Sequence, residues 1–268
     1  MGDSVKQFYD EGALEEWRRL ERHPFEFRLT VHMMDKYVHP GDRVLDIGGG
    51  PGRYAIYHAR RGCEVALVDL SEGNVALARE KAEEAGVRLE AHACDCLALD
   101  KLELGAFDHV FLMGPLYHLQ SEQDRKTAVE KALAHLKPGG VFYASFILLA
   151  SGLIYDLKNG GNIVSDMNSP VTRGLLDDIV SRRPYTGGAF TTARFDPPGA
   201  IRPFMERFGL ETLHLFGQEG ILAPNEPQIL ERDAEEIECW VEVAKRLLEV
   251  PELLAYSEHA MYIGRKKQ

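Results

Sequence analysis

The stretch that decides the fold is Val44-Leu45-Asp46-Ile47-Gly48-Gly49-Gly50-Pro51-Gly52-Arg53-Tyr54. It begins with apolar residues typical of a buried strand, carries a carboxylate near the end of that strand, and passes through four glycines into the start of a helix. Glycine has no Cβ, so backbone N–H groups in such a turn can lie directly against a ligand. Ligands of open α/β sheets bind at the carboxyl ends of the strands. The stretch therefore predicts a ligand-binding turn.

Around this stretch, apolar runs alternate with helical patterns. The predicted strands are 43–47, 64–69, 88–93, 109–113 and 141–147. Helices at this spacing between them indicate a doubly wound, mostly parallel sheet. Asp69 closes the second strand as Asp46 closes the first, and two such carboxylates suit a ligand with a positive group and a ribose rather than a polyphosphate.

The alternation stops after Ile147 and returns at about residue 200, so the chain divides into four predicted parts. Residues 1–40 form an N-terminal helical lid, 41–147 the cofactor-binding core, 148–199 a cap insertion, and 200–268 the C-terminal part of the core sheet. A stretch of the cap's length is too long for an ordinary loop. Its polar and aromatic residues predict a mixed pocket wall: Tyr155, Asn159, Asn162, Asp166, Met167, Arg173, Tyr185 and Phe190.

Composition limits the class of partner. The chain has 268 residues and a net charge of −11, which argues against nucleic acid and against an anionic membrane surface. Its four cysteines form no CxxC, so neither a metal site nor a disulfide framework is predicted. The first residues lack the apolar core of a signal peptide, and no apolar run reaches membrane-helix length. We expect a cytoplasmic protein, and the sequence does not indicate its oligomeric state.

Four further motifs follow the glycine turn in order. They are Asp69-Leu70 after the second predicted strand, Asp95-Cys96 after the third, Met113-Gly114-Pro115-Leu116-Tyr117-His118-Leu119 ending the fourth, and Leu136-Lys137-Pro138-Gly139-Gly140-Val141 before the fifth. With Asp46–Gly52 at their head, these motifs resemble those of the class I S-adenosylmethionine-dependent methyltransferase family, small-molecule type. The resemblance covers roughly residues 8–150 and returns at 200–265.

The resemblance implies S-adenosyl-L-methionine as cofactor, S-adenosyl-L-homocysteine as product, and a Rossmann-like α/β fold with a seven-stranded sheet. It also implies that Asp69 accepts hydrogen bonds from both ribose hydroxyls and that Asp95 accepts one from the adenine amine. An aromatic residue and an arginine of the N-terminal helices are implied to contact the methionine carboxylate. Arg19 is our choice among three arginines. The residues implied to bind the cofactor are Asp46, Gly48, Gly50, Asp69, Leu70, Asp95, Cys96, Met113, Gly114, Tyr9 and Arg19.

The sequence says less about the methyl acceptor than about the cofactor. Methyl transfer is an in-line displacement that mainly requires alignment, and a general base is needed only when the acceptor must lose a proton. The fourth-strand motif lacks the Asn/Asp-Pro-Pro-Tyr of enzymes that act on DNA and protein amides, which favours a small organic acceptor. His118 and Tyr117 are the candidate catalytic residues. His118 suits either a base or a structural histidine at a helix start, and Tyr117 suits packing or hydrogen bonding.

Two alternatives stay open. One is a cofactor-binding regulatory module without catalysis, which would not need a cap. The other is an NAD(P)-dependent Rossmann oxidoreductase, whose G-x-G-x-x-G fingerprint differs from Gly48-x-Gly50-x-Gly52 with arginine at position 53. The predicted strand pair 210–217 and 259–264 resembles the antiparallel pair that closes methyltransferase sheets and speaks against the oxidoreductase.

Overall fold

The computed structural model describes residues 2–188 and 191–268. The β-branched and aliphatic runs of the sequence form strands because their side chains pack well on a buried, pleated surface. The strands are β1 (Arg43–Ile47), β2 (Glu64–Asp69), β3 (Glu90–Ala93), β4 (Phe107–Leu112), β5 (Leu136–Leu148), β6 (Tyr185–Gly188), β7 (Thr192–Asp196), β8 (Leu210–Gly217) and β9 (His259–Lys266).

Helices connect and cover these strands, and several start at side chains that cap them. Ser71 accepts a hydrogen bond from the Asn74 N–H, and Asp233 accepts one from the Glu236 N–H. The helices are α1 (Gly2–Arg22), α2 (Pro24–Met34), α3 (Arg53–Arg60), α4 (Glu72–Glu84), α5 (Glu122–Ala134), α6 (Ser151–Asn159), α7 (Ile163–Asp166), α8 (Pro170–Ser181), α9 (Pro198–Glu206), α10 (Glu226–Leu230) and α11 (Ala234–Leu247).

The sheet confirms the predicted α/β class. Strands β3-β2-β1-β4-β5 are parallel, and the antiparallel pair β9 and β8 continues from β5. This makes the expected seven strands. The described residues add two more, because the β6–β7 hairpin of residues 185–196 also joins the sheet. The predicted count of seven was therefore too low by the two strands of this hairpin. These strands are short, and their Thr and Gly residues do not indicate a strand.

The hairpin joins at an informative position. β4 pairs with β5 only as far as Ala144, whereas β7 pairs with β5 at Ile147 and Leu148. At Ile147 the opposite edge of β5 is already occupied by His259 of β9. β7 therefore takes over the edge that β4 leaves, directly beyond the end of β4.

Two apolar layers hold the helices on the sheet. Alternate residues of β5 enter opposite layers. Phe142 belongs to the layer that contains α5 and α9, whereas Tyr143 belongs to the layer that contains α2, α3, α4 and α11. This alternation follows from the two-residue period of a strand. The helices α1 and α2 lie before β1, as predicted, but α1 starts at Gly2 rather than near residue 8. Within residues 2–188 and 191–268, the structure contains no helix with the length and apolarity needed to cross a membrane.

Candidate functional site

A cavity of about 690 Å³ opens at the carboxyl edge of the parallel strands. This volume lies in the range of small-molecule sites. All thirteen residues that the sequence assigned to cofactor binding or catalysis lie along its wall: Tyr9, Arg19, Asp46, Gly48, Gly50, Asp69, Leu70, Asp95, Cys96, Met113, Gly114, Tyr117 and His118. The structure thus brings four of the five motifs together, whereas Leu136–Val141 contributes no residue to the wall. The role of each residue stays a prediction.

The glycine turn is shaped by close approaches that leave no room for side chains. Gly48 has a φ of +70°, and a Cβ there would lie 2.4 Å from the Pro115 Cδ. A Cβ on Gly49 would lie 2.7 Å from the Asp46 carboxylate. Glycine is therefore required at both positions, at the first for conformation as well as space. The turn brings the end of β1 against the Pro115 segment that follows β4.

Asp46 is buried under this turn with an incomplete set of hydrogen bonds. It is 1% exposed, and its Oδ2 has no hydrogen-bond partner among the described residues. Burial, with a smaller contribution from Asp69, raises the pKa of Asp46 to about 7. A buried acceptor without a partner is costly, so its position beside a cavity indicates a site for a donor or a cation.

Asp69 fixes the turn from the neighbouring strand. Its Oδ2 accepts the Gly50 N–H at 2.8 Å, and its Oδ1 accepts from the Ser71 N–H and the Asn74 side chain. A carboxylate offers about four acceptor positions. Protein donors fill three of them here, which leaves one position for a ligand rather than the two that bonds to both ribose hydroxyls need. Burial raises the pKa of Asp69, and these hydrogen bonds oppose the rise.

The segment after β3 supplies the next part of the wall. Asp95 begins a short 3-10 turn and accepts a hydrogen bond from the Leu97 N–H at 2.8 Å. Cys96 is buried behind it, and burial raises the pKa of its thiol. The thiol is therefore neutral at physiological pH and contributes an apolar surface rather than a nucleophile.

Helix α1 covers the cavity and is bound to the N-terminus of α4. Asp10 accepts hydrogen bonds from the Ser71 hydroxyl at 2.6 Å and from the Gly73 N–H at 3.1 Å. Bonds from Lys6, Ser71 and Gly73 lower the pKa of Asp10 to about 2. Further along α1, the Arg53 guanidinium lies 3.7 Å from the Trp17 ring centroid. These contacts place Tyr9 and Arg19 at the wall of the cavity.

Arg19 reaches the cavity already paired with two carboxylates. Its Nε donates to Glu16 at 2.9 Å, and its two terminal nitrogens donate to Glu26. Burial would raise the pKa of Glu26, but Arg19 and His259 outweigh it and lower that pKa. An arginine has five N–H donors. Two of them remain for a ligand carboxylate, so the predicted role is compatible with this geometry.

His118 lies at the junction of three elements. Its Nε2 is 2.9 Å from the Tyr9 hydroxyl of α1, and its Nδ1 is 3.4 Å from the Thr192 carbonyl of β7. Burial raises the pKa of Tyr9, so the phenol keeps its proton and donates to Nε2. Burial also lowers the pKa of His118 to about 4. The imidazole is therefore neutral, with Nδ1 protonated and Nε2 engaged by Tyr9.

Sequence reasoning missed a second group of cavity residues. Ser145 of β5, Gln218 after β8 and His259 at the start of β9 line the same cavity. Nothing in their local sequence marks them, because each stands alone in or beside an apolar strand. The predicted cap residues behave in the opposite way. Of the eight, the seven described ones lie away from the cavity wall and Phe190 lies outside the described residues, while Thr186 and Thr192 of the hairpin line it.

His259 belongs to a network of charged groups. Glu26, Glu219 and His259 bring their oxygen and ring-nitrogen atoms within 4.8 Å of one another. The Glu219 oxygens accept two backbone N–H bonds and one from the His259 ring, and the Glu26 oxygens accept from Arg19. Protein donors therefore occupy these carboxylates. That the chain has no metal ligands stays a prediction.

Comparison with known proteins agrees with the motifs. Residues 44–140 match a family model described as a methyltransferase domain. A ubiquinone biosynthesis O-methyltransferase of Bordetella avium (strain 197N) is 33% identical over 126 residues, which make up 44% of this chain and 51% of that protein. The aligned part thus spans about half the length of this curated relative.

The fold has close counterparts among solved structures. Magnesium protoporphyrin IX methyltransferase of Synechocystis PCC 6803 with bound S-adenosylhomocysteine aligns with a TM-score of 0.60 at 15% identity, over 99% of both chains. A 1,6-didemethyltoxoflavin-N1-methyltransferase of Burkholderia thailandensis aligns with a TM-score of 0.60 at 18% identity, over 100% of this chain and 87% of that one. Such identities show the fold alone. Motifs, domain match and fold agree in identifying residues 44–140 as a methyltransferase domain, within a chain that has the class I methyltransferase fold.

Proposed function

We propose that this chain binds S-adenosylmethionine and transfers its methyl group to a small organic acceptor by in-line displacement. The observation that carries the proposal is the glycine turn, whose residues line the cavity without side chains. Asp46 lines the same cavity, and its Oδ2 has no hydrogen-bond partner among the described residues. The rest of the wall adds carboxylates at the ends of β2 and β3 and apolar surface at Met113 and Leu97.

The residues fit the cofactor by their chemistry. Asp46 offers a buried acceptor to a cationic group, and a cation there would keep its carboxylate ionised. Asp69 offers its one remaining acceptor position to a ribose hydroxyl, and Arg19 offers two N–H donors to a carboxylate. Asp95, Cys96 and Leu70 would flank the adenine. When bound, S-adenosylmethionine supplies a methyl group already activated on a sulfonium.

The chain's own contribution is alignment and exclusion of water. Tyr9 of helix α1 and Thr192 of the β6–β7 hairpin both contact His118. This residue therefore links the helix and the hairpin beside the cofactor residues. We assign residues 1–40 the role of a lid and residues 148–199 the role of a cap on this basis. A cavity of this size suits a small acceptor rather than a polymer. The ubiquinone biosynthesis O-methyltransferase and the 1,6-didemethyltoxoflavin-N1-methyltransferase that this chain resembles are consistent with a small acceptor.

Calorimetric titration with S-adenosylhomocysteine tests the cofactor part. We expect wild type to bind and Asp69→Ala to bind about 10- to 100-fold more weakly, because a hydrogen bond to a charged group contributes about 1.5–3 kcal/mol. Asp100→Ala is the matched control, since that carboxylate is exposed and is paired with Lys131 away from the cavity wall. Stabilisation by NAD(P) with no binding of S-adenosylhomocysteine would overturn the proposal.

Incubation with methyl-labelled donor and a panel of phenols, carboxylic acids, amines and thiols tests the transfer itself. Label in an acceptor supports an enzyme. Saturable S-adenosylhomocysteine binding without label in any acceptor favours the regulatory binding module instead.

A further inference from the structure

Three polar side chains form a surface beyond the cofactor residues, which we name the distal polar site: Ser145, Gln218 and His259. In the antiparallel ladder, His259 stands opposite Ile147, and Ser145 is two residues before Ile147 on the same strand. The Gln218 N–H donates to the His259 carbonyl at 2.9 Å, which places Gln218 opposite His259 on the other side. Opposite residues and residues two apart share a face. The three side chains therefore lie together on one face at the ligand-binding edge.

Two of these side chains carry buried polar atoms without partners. Gln218 is 2% exposed and Ser145 is 3% exposed. The Gln218 Oε1 and the Ser145 Oγ have no hydrogen-bond partner within the part of the chain that the structure describes. The Gln218 amide is oriented by Thr30, whose hydroxyl accepts from Nε2 at 3.0 Å. Since buried polar groups are normally satisfied, these two open atoms indicate a ligand's polar group in the same cavity.

His259 is fixed by Glu219 in a geometry suited to proton transfer. The Glu219 Oε1 accepts from the His259 Nδ1 at 2.6 Å, and the Glu219 Oε2 accepts from the His259 backbone N–H at 3.0 Å. A carboxylate on Nδ1 orients the ring and leaves Nε2 as the nitrogen available to a ligand. The ring lines the cavity, with its centroid 6.4 Å from that of Tyr117.

The surrounding charges make this histidine a strong base. Burial alone would lower the pKa of His259, but Glu219 and then Glu26 outweigh it and raise that pKa to about 9. Arg19 of α1 opposes the rise. Glu258, the other carboxylate beside it, is paired with Lys158 of α6.

His118 differs from His259 in both respects. Its Nε2 is engaged by Tyr9, and its pKa is lowered rather than raised. An imidazole whose basic nitrogen already accepts a hydrogen bond is a poor partner for a second proton. Of the two cavity histidines, His259 is the one with a nitrogen open to an acceptor.

We propose that His259, positioned by Glu219, is the general base for an acceptor with an acidic hydroxyl, a phenol or an enol, and that Gln218 and Ser145 bind a neighbouring polar group of that acceptor. This inference rests on the proposed methyl transfer. The neutral His259 Nε2 takes the hydroxyl proton, the oxygen bonds to the methyl carbon, and the carbon–sulfur bond breaks with its electron pair moving to sulfur. The imidazolium proton then passes to water, so the methyl ether, the thioether and one proton are the products.

The acidity of the acceptor follows from the dyad. A phenolic hydroxyl has a pKa of about 10, so a base with a pKa of about 9 exchanges its proton with it at little cost. Simple aliphatic alcohols are far less acidic. The open Gln218 Oε1 accepts a hydrogen bond, which selects an acceptor with a second O–H or N–H close to the reacting oxygen.

The experiment compares variants of the full chain with methyl-labelled donor and a panel of catechols, hydroxybenzoates, enols, aliphatic alcohols and amines. We expect wild type to turn over acceptors with acidic hydroxyls. In His259→Ala we expect kcat to fall by at least about 100-fold. Added imidazole should restore part of the His259→Ala activity, which a merely structural histidine would not allow. S-adenosylhomocysteine affinity should stay within about twofold of the wild-type value, a difference of about 0.4 kcal/mol. His92→Asn, a variant at a half-buried histidine on β3 that does not line the cavity, is the control.

Glu219→Gln supplies a second readout that does not depend on the loss of activity. Activity should rise with pH as His259 loses its proton, and removing the carboxylate lowers the pKa of His259. The rising limb of kcat/KM should therefore move to lower pH in Glu219→Gln. An unmoved limb, unimpaired turnover in His259→Ala, or S-adenosylhomocysteine binding without methylation of any hydroxyl would overturn the inference. Failure to bind S-adenosylhomocysteine would instead overturn the proposed function itself.

Discussion

The two halves of the cavity are built in different ways. The cofactor half, at the ends of β1, β2 and β4, consists of backbone turns and of carboxylates that hold those turns. The distal polar site, at the ends of β5, β8 and β9, consists of single side chains oriented by partners from other elements. One half is specified by contiguous motifs, and the other by residues that the sheet brings together from positions 145 to 259.

This difference indicates which positions of the site tolerate substitution and which do not. A glycine turn cannot change without moving backbone, because its neighbours lie closer than a Cβ allows. A side chain on a strand can be replaced while the ladder beside it stays in place. We therefore infer that acceptor choice resides in the distal polar site, and that cofactor binding resides in the turn.

The largest effect expected is on the cofactor half. In Gly48→Val, a Cβ would approach Pro115 to 2.4 Å at a φ of +70°, which valine adopts only with strain. We expect S-adenosylhomocysteine binding to be lost in calorimetry. Gly174→Val is the matched control, because no atom lies within 4 Å of its Cβ position, and its binding should equal that of wild type. Binding by Gly48→Val at wild-type affinity would contradict the role of the turn.

A smaller effect is expected where the distal half is supported. Lys158 is 2% exposed and is paired with Glu226 and Glu258, the latter next to His259. Lys158→Met removes the cation that the buried Glu226 and the partly buried Glu258 share, and Glu226 keeps His23 as its partner. The loss should lower the free energy of unfolding by about 3–5 kcal/mol. Lys126→Met, which removes an exposed pair with Glu130, should cost about 1 kcal/mol or less. Equal losses in urea denaturation would show that the buried pairing does not support this half.

The smallest effect expected is a pH dependence in the ligand-free protein. The folded state raises the pKa of Asp46 from 3.8 to about 7, so the folded state holds this proton more tightly than the unfolded chain. The stability that this provides is present at low pH and is lost as the pH rises towards 7. Asp46→Asn should reduce this loss between pH 5 and pH 7.5 in denaturant titrations. An unchanged pH dependence would place the titrating group elsewhere.

Much of the fold could be predicted because its signals are local. The limits of β1, β2 and β8 follow from apolar runs bounded by turn residues, and the structure has them where the sequence placed them. The β6–β7 hairpin was missed because Tyr185–Gly188 has neither an apolar run nor a clear alternation. Its pairing with β5 depends on the space left by β4, which no local pattern contains.

The candidate site divides along the same line. Asp46, Asp69 and Asp95 could be found because each lies at or just after the end of a predicted strand, and parallel strands bring such positions to one edge. His259 could not, because its position depends on the register of β9 against β5 and on Glu219 from a separate segment. The tight pairing of Arg19 with Glu26 was equally beyond the sequence, since it depends on how α1 and α2 pack against each other.

The two covers of the cavity differ in how they are attached, and this gives the site a direction. The β6–β7 hairpin is bonded into the sheet edge and is also held by the buried ion pair of Arg125 with Asp196. Helix α1 is held largely by side chains, including Asp10 and Trp17. Breaking a few side-chain contacts is easier than unzipping a ladder. We therefore expect helix α1, rather than the hairpin, to move when ligands enter and products leave.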